Sequence, residues 1–233
     1  MEKKTKTTRT RKPRLKKVKD QPVEAKKSNA INFELIEPLD LFGLKDQALD
    51  INIEGFTTPK ICGILNHLTS KGKTFVEIGT YRGVTLASAM HKNKVKAFGI
   101  DNYSWPTKVT TTRSPQLNLQ TAISRAKGAE VIARDYAPGL GKIVASGIKI
   151  DCYFVDGPHN YEDVKKCIEL AEPMFSESTY VVLDDANNPG VKKVIDDLDK
   201  KENWELIFEK LTDKEKNHPD WWNGIAIFQV KSK

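Results

Sequence analysis

The sequence predicts an α/β domain built on a doubly wound, mostly parallel seven-stranded sheet whose last strand runs antiparallel. Three observations lead there. From Lys73 onward, short apolar strand-like runs alternate with segments of helical periodicity. One of those runs, Ile148–Val155, is so uniformly apolar that it suits a central strand covered on both faces. The last two runs, Trp204–Leu211 and Gly224–Val230, are joined only by a polar, Trp-containing loop, so no crossover helix separates them.

The elements follow in order. Thr58-Pro59 opens a helix, with Thr as the N-cap and Pro at the first helical position. Ile61, Ile64, Leu65 and Leu68 then fall on one apolar stripe. Thr74–Ile78 is a buried strand, Gly79–Gly83 a turn and Val84–His91 a short helix. Val95–Ile100 is the second strand, followed by a helix over about Ser114–Lys127, a break at Gly128 and a short strand at Glu130–Ala133. After Ile148–Val155, the segment Tyr161–Met174 carries Val164, Cys167, Ile168 and Ala171 at helical spacing. Tyr180–Leu183 is a strand, and Asn188-Pro189 caps a helix with Val191, Val194, Ile195 and Leu198 on one side. No internal repeat is visible.

Charge separates the chain into parts. Residues 1–28 hold twelve Lys/Arg against Glu2, Asp20 and Glu24, a net +9; the whole chain is +7, so the remaining 205 residues carry −2. The segment has almost no large apolar residues with which to offset the entropy of ordering, so residues 1–28 are expected to be a basic, disordered arm. Residues 29–56 read as an irregular segment, and 57–233 as the folded domain. No apolar run follows the basic stretch and no segment approaches the length of a membrane span, so a soluble, cytoplasmic protein without a membrane partner is expected. Cys62, Cys152 and Cys167 are odd in number, apolar in surroundings and without C-x-x-C spacing, which favours buried thiols over a disulfide framework or a zinc site.

The chemistry is concentrated at predicted strand ends. Glu77-Ile78-Gly79-Thr80-Tyr81-Arg82-Gly83 places an acid at a strand end before a Gly-containing turn into a helix. There Gly79 permits a tight turn and close ligand approach, and the helix behind Gly83 offers unpaired N–H groups. The second strand ends in Asp101, followed by Asn102, where doubly wound sheets place an acid that accepts hydrogen bonds from the ribose of a nucleoside-containing cofactor. The alternative is a strand-end Asp that caps the next turn.

Two more acidic runs, Val155-Asp156-Gly157-Pro158-His159 and Leu183-Asp184-Asp185, follow central strands. Three carboxylates converging at one sheet edge would repel one another, and a hard divalent cation such as Mg²⁺ would relieve that repulsion. Equally, Asp156 could hydrogen-bond a ligand while Asp184 and Asp185 cap the following helix. The sequence leaves both readings open.

The run from Phe75 to Gly190 resembles the class I S-adenosylmethionine-dependent methyltransferases, and within them the small-molecule O-methyltransferases of the catechol and macrocin type. The resemblance implies a Rossmann-like sheet, an enzyme and S-adenosylmethionine as cofactor. Glu77, Gly79 and Tyr81, with Thr80 and Gly83 of the same motif, would surround its methionine part. Asp101 and Asn102 would lie at the ribose, and Asp135 and Tyr136 would flank the adenine. Asp156 would contact the cofactor and, with Asp184 and Asp185, bind Mg²⁺. His159 stands where relatives place the general base that takes the acceptor's proton. Asp185 departs from the catechol type, which has Asn there, and so weakens a catechol assignment.

Other signals fail. Gly72-Lys73-Thr74 lacks the upstream glycine of a P-loop, since position 67 is His67, and it precedes a strand. There is no G-x-S-x-G elbow, no Asn/Asp-Pro-Pro-Tyr run and no Pro-Cys pair, so hydrolase and base-methylating readings have no support. Three function classes remain: an O-methyltransferase for a small-molecule or sugar acceptor, a nucleic-acid-associated protein tethered through residues 1–28, and a non-catalytic cofactor-binding protein. The acceptor and the oligomeric state are not readable.

Overall fold

The computed structural model describes residues 31–39, 56–104, 114–213 and 218–232. The basic arm and most of segment 29–56 lie outside the described residues. Seven strands form one sheet: β1 (Thr74–Ile78), β2 (Lys96–Asp101), β3 (Glu130–Ala133), β4 (Ile150–Val155), β5 (Phe175–Asp184), β6 (Trp204–Lys210) and β7 (Ile225–Lys231). Their spatial order is β3-β2-β1-β4-β5-β7-β6. Pairs among β1 to β5 are parallel, and β7 lies antiparallel to both β5 and β6. This is the sheet the alternation predicts, with its last strand reversed.

The helices are α1 (Pro59–Thr69), α2 (Val84–Met90), α3 (Pro115–Arg125), α4 (Tyr136–Ala145), α5 (Tyr161–Ala171) and α6 (Pro189–Leu198). They pack in two series, α1 with α2 and α2 with α3, then α4 with α5 and α5 with α6. Alternation along the strands assigns residues to the two series. Val76 and Ile78 of β1, with Phe98 and Ile100 of β2, join the apolar cluster that includes Leu140, Val164 and Ile195 of α4, α5 and α6. The intervening Phe75 and Glu77 must then face the α1–α2 side, and β1 is buried along its whole length.

Caps are made by the residues that the sequence marks for them. Thr58 accepts a hydrogen bond from the Ile61 amide ahead of Pro59, and Asn188 does the same for Gly190 ahead of Pro189. All three cysteines are free and buried. Among the described residues no helix is long and apolar enough to cross a membrane.

Two elements differ from expectation. Helix α4 was not anticipated, because Pro138, Gly139 and Gly141 interrupt its apolar pattern; Gly139 is tolerated since a β-carbon there would press on Ile100 of β2. Strand β5 begins at Phe175, five residues before the predicted start, through a polar stretch whose register shifts against β4 between Ile150 and Cys152. The folded unit also begins at Asn32, well before residue 57. Phe33 supplies the reason: it is 2% exposed and its ring lies 5.1 Å from that of Phe208. Lys60 Nζ donates to the carbonyls of Glu34 and Ile36, which fixes this short segment against α1.

Candidate active site

Strand order reverses between β1 and β4, so the loops leaving the carboxyl ends of these strands diverge and open a crevice. A cavity of about 720 Å³ lies there. It is lined by Gly79, Thr80, Tyr81, Asp101, Asn102, Asp135, Tyr136, Asp156, His159 and Asp185, which are ten of the residues singled out in the sequence. Glu77, Gly83 and Asp184 do not line it.

The half over β1, β2 and β3 is organised by backbone geometry. Gly79 has φ +92°, and a β-carbon there would overlap the Asp156 carbonyl, so only glycine lets the loops after β1 and β4 come this close. Tyr81 and Tyr103 both adopt left-handed backbone, at φ 44° and 55°. One carboxylate holds both: Asp101 Oδ2 accepts from the Tyr81 amide at 2.7 Å, and Oδ1 accepts from the Tyr103 amide at 2.6 Å. Asp101 therefore clamps two loops while lining the cavity. Burial nevertheless raises its pKa, with the backbone donors pulling the other way. Asn102 donates to Asp135, and the Tyr136 hydroxyl donates to Asp163 at 2.6 Å.

Glu77 lies beneath this half, 0% exposed on the α1–α2 side. Burial pushes its pKa from 4.5 up to about 8, and the neighbouring Thr85 and Thr80 hydroxyls offset only part of that cost. Neither carboxylate oxygen has a hydrogen bond of good geometry. Gly83, at φ +73°, begins α2 against Ala122 of α3.

The half over β4, β5 and β7 is organised by charge. Asp156, His159 and Asp185 bring one donor atom each to within 4.8 Å of the others. The pKa of Asp156 is raised well above the carboxylate range, first by burial and then by Asp184 and Asp185. Asp184 is 1% exposed, neither of its oxygens has a hydrogen bond of good geometry, and burial with the adjacent Asp185 pushes it to about 8. Burial is the largest influence on Asp185 and raises it, but the hydrogen bond and charge of His159, together with Asn223, outweigh it and leave this carboxyl below its ordinary value. His159 Nε2 sits 2.7 Å from Asp185 Oδ2, and that bond raises the imidazole pKa. Asp185 Oδ1 is buried without a hydrogen bond of good geometry.

The structure thus groups His159 with Asp156 and Asp185, and it sets Asp184 behind them. The expected trio of acids is split because β5 ends at Asp184 inside the sheet, while Asp185, at φ 54°, turns out of it. Several cavity residues were missed in the sequence: Phe56, Thr57, Arg82, Tyr103, Asn118, Trp222 and Asn223. Arg82 was in the first motif but drew no role; its Nε donates to Asn118 Oδ1 at 2.9 Å and ties α3 to the loop after β1. A tryptophan pair in a polar hairpin loop was the available signal for Trp222.

Comparison with known proteins bears on this geometry. A methyltransferase-domain family model matches residues 76–186, from within β1 to just past the second acidic run. No curated protein matches the chain by sequence. Among solved structures, the O-methyltransferase from Bacillus cereus in complex with S-adenosylhomocysteine superposes with a TM-score of 0.60 at 13% identity, over 85% of this chain and 94% of that one. The O-methyltransferase TomG from Streptomyces achromogenes, in complex with S-adenosylmethionine, gives 0.59 at 16% identity over 85% and 92%. A methyltransferase-like protein from Streptococcus mutans gives 0.53 at 13% identity over 74% of this chain, which spans only 48% of that protein's length. These likenesses establish the fold, and the domain match covers both site motifs. Residues 76–186 therefore match a methyltransferase domain, on a fold that the chain shares with these O-methyltransferases.

Proposed function

We propose that the protein transfers a methyl group from S-adenosylmethionine to a hydroxyl of a small molecule. The observation that carries this reading is the single cavity with two unlike halves, a backbone-clamped half ending in Asp101 and an acidic half holding His159. The B. cereus and Streptomyces neighbours support the donor, since both are complexes with that cofactor or its product. In this reading the methionine part lies along Gly79, Thr80 and Tyr81, the ribose at Asp101 and Asn102, and the adenine between Asp135 and Tyr136. The donor's sulfonium supplies an already activated methyl carbon, so the chain has two tasks, alignment and proton removal.

Proton removal falls to His159. With Nε2–H donating to Asp185, the other ring nitrogen is the proton acceptor, and Asp185 stabilises the imidazolium that forms. The acids fit a divalent cation such as Mg²⁺: Asp156 is pushed toward its neutral form by burial first and then by Asp184 and Asp185, and Asp184 and Asp185 keep three buried oxygens without a hydrogen bond of good geometry. A cation held by Asp156 and Asp185, with Asp184 behind them, would polarise the acceptor hydroxyl and fix its direction.

The test has two parts. S-adenosylhomocysteine binding is measured by calorimetry on the full chain, and methyl release is measured over a panel of hydroxylated acceptors with and without a chelator. His159→Ala is expected to lower turnover roughly 100-fold or more while leaving cofactor affinity unchanged. Unchanged turnover in that variant would remove His159 from the mechanism, and turnover indifferent to chelation would remove the metal.

A further inference from the structure

We infer that Asp163 is a positioning residue that ties Tyr136, in the donor half of the cavity, to the loop that carries His159. The role rests on the methyl-transfer reading, in which Tyr136 flanks the adenine and His159 takes the proton. One carboxylate makes the tie. Asp163 Oδ1 accepts from the Tyr136 hydroxyl at 2.6 Å, and Oδ2 accepts from the Asn160 side-chain amide at 2.7 Å. Asn160 directly follows His159, and Tyr136, His159 and Asp163 all line the same cavity.

Capping of α5 does not account for this arrangement. Asn160 is the N-cap, and its Oδ1 accepts from the Asp163 amide at 3.0 Å, which is all that the cap needs. An acid at this third helical position commonly returns its carboxylate to the backbone amide of the cap residue. Asp163 instead holds the side chain of the cap with one oxygen and a residue of another helix with the other. Tyr136 is the first residue of α4, so the bond runs from the start of one helix to the start of its neighbour, across 27 positions of sequence. Asn160 first, and then Tyr136, hold Asp163 below the ordinary carboxylate range, so the tie is made by a charged group. Burial and the same hydrogen bond raise the Tyr136 phenol, which therefore stays a donor.

The loop is held elsewhere too. A β-carbon at Gly190 would overlap the His159 carbonyl, so the start of α6 presses directly on the loop backbone. The His159 imidazole in turn meets Asp185 at 2.7 Å. Asp163 adds the one restraint that reaches the donor half. Its bond with Tyr136 is only part-buried, and a ligand filling this end of the cavity would exclude water from it. A charged hydrogen bond strengthens as water leaves, so a seated donor stiffens the loop of the base. Alignment at that loop matters, because displacing a reacting group by about 1 Å costs up to roughly 100-fold in rate.

The test begins on the full chain without ligand or turnover. The chain has four histidines, so the Cε1–H peak of the His159 ring is assigned in a carbon–proton NMR spectrum by its loss in His159→Gln. Tyr136→Phe and Asp163→Ala are each expected to move that peak at fixed pH, and in the same direction. Methyl transfer is then measured with the hydroxylated acceptor that turns over fastest. Tyr136→Phe keeps its ring, so S-adenosylhomocysteine affinity and the donor KM should stay within about threefold while kcat falls about tenfold. Asp163→Ala should lower kcat at least as far, and adding Tyr136→Phe to it should change nothing more, because both remove one bond. A purely stabilising contact would lower the melting temperature and leave kcat unchanged well below it. An unmoved His159 peak, an unchanged kcat, or losses that multiply in the double variant would overturn the proposal. If both variants move the peak but the wild-type chain neither binds S-adenosylhomocysteine nor transfers methyl, the tie between the halves stands and the methyl-transfer reading falls.

Discussion

The two halves of the cavity are built on opposite principles. Over β1, β2 and β3, one carboxylate is spent on two backbone amides, and two tyrosines are held in left-handed conformation by it. Over β4, β5 and β7, carboxylates are crowded together, and the described structure leaves several of their oxygens without partners. The first half is a cradle shaped by backbone geometry, although the buried Glu77 carboxyl beneath it also lacks a hydrogen bond of good geometry. The second stores electrostatic repulsion that a cation, a proton or a substrate hydroxyl can relieve. A transfer enzyme benefits from that division, because the donor needs only to be held whereas the acceptor must be deprotonated.

The comparison breaks most severely at Asp101. Asp101→Ala removes both amide partners together with the proposed ribose contact, and S-adenosylhomocysteine affinity is expected to fall roughly 100-fold. Calorimetry checks this, and unchanged affinity would remove Asp101 from the donor half.

A smaller effect concerns the buried acid under the cradle. Glu77 has its pKa raised from 4.5 to about 8 on folding. The folded chain therefore binds this proton more tightly than the unfolded chain. The stability it contributes is complete below about pH 4.5 and is lost as pH rises toward 8. Glu77→Gln should flatten that part of the decline, giving a higher melting temperature than wild type at pH 8 and little difference at pH 5. Asp184 and Asp156 under the other half and Asp101 in this one have the same sign, so a slope should remain in the Gln variant.

The smallest expected signal is at Cys62, which lies below both halves and is influenced by Glu77 and Asp184 alike. Burial first, with help from those acids, pushes this thiol to about 11. Native protein should therefore resist maleimide at pH 8 until it is unfolded. Rapid labelling of Cys62 in the folded state would show that the layer between α1 and the two acids opens.

Much of this was legible in advance. Alternation, the acidic strand ends and the Gly turn, together with the family resemblance that singled out Asp135, Tyr136 and His159, pointed to ten residues that line one cavity, because strand ends and glycine turns are local properties of a chain. Helix α4 escaped because its prolines and glycines argue locally against a helix, and contact between Gly139 and Ile100 overrules them. The separation of Asp184 from Asp185 escaped because neighbouring letters give no hint that one stays in the sheet and the next turns out at φ 54°.

What the sequence determined by itself was periodicity, charge and caps: a mostly parallel sheet with its last strand reversed, helices begun by Thr58-Pro59 and Asn188-Pro189, and carboxylates at the ends of β2, β4 and β5. The tertiary structure alone decided which residues meet across long separations. Phe56 reaches Trp222, Tyr81 shares Asp101 with Tyr103, and His159 takes Asp185 as its partner. The physical reason is that such pairings depend on strand order and on left-handed backbone sustained by surrounding contacts, and neither is written in the local pattern of a chain.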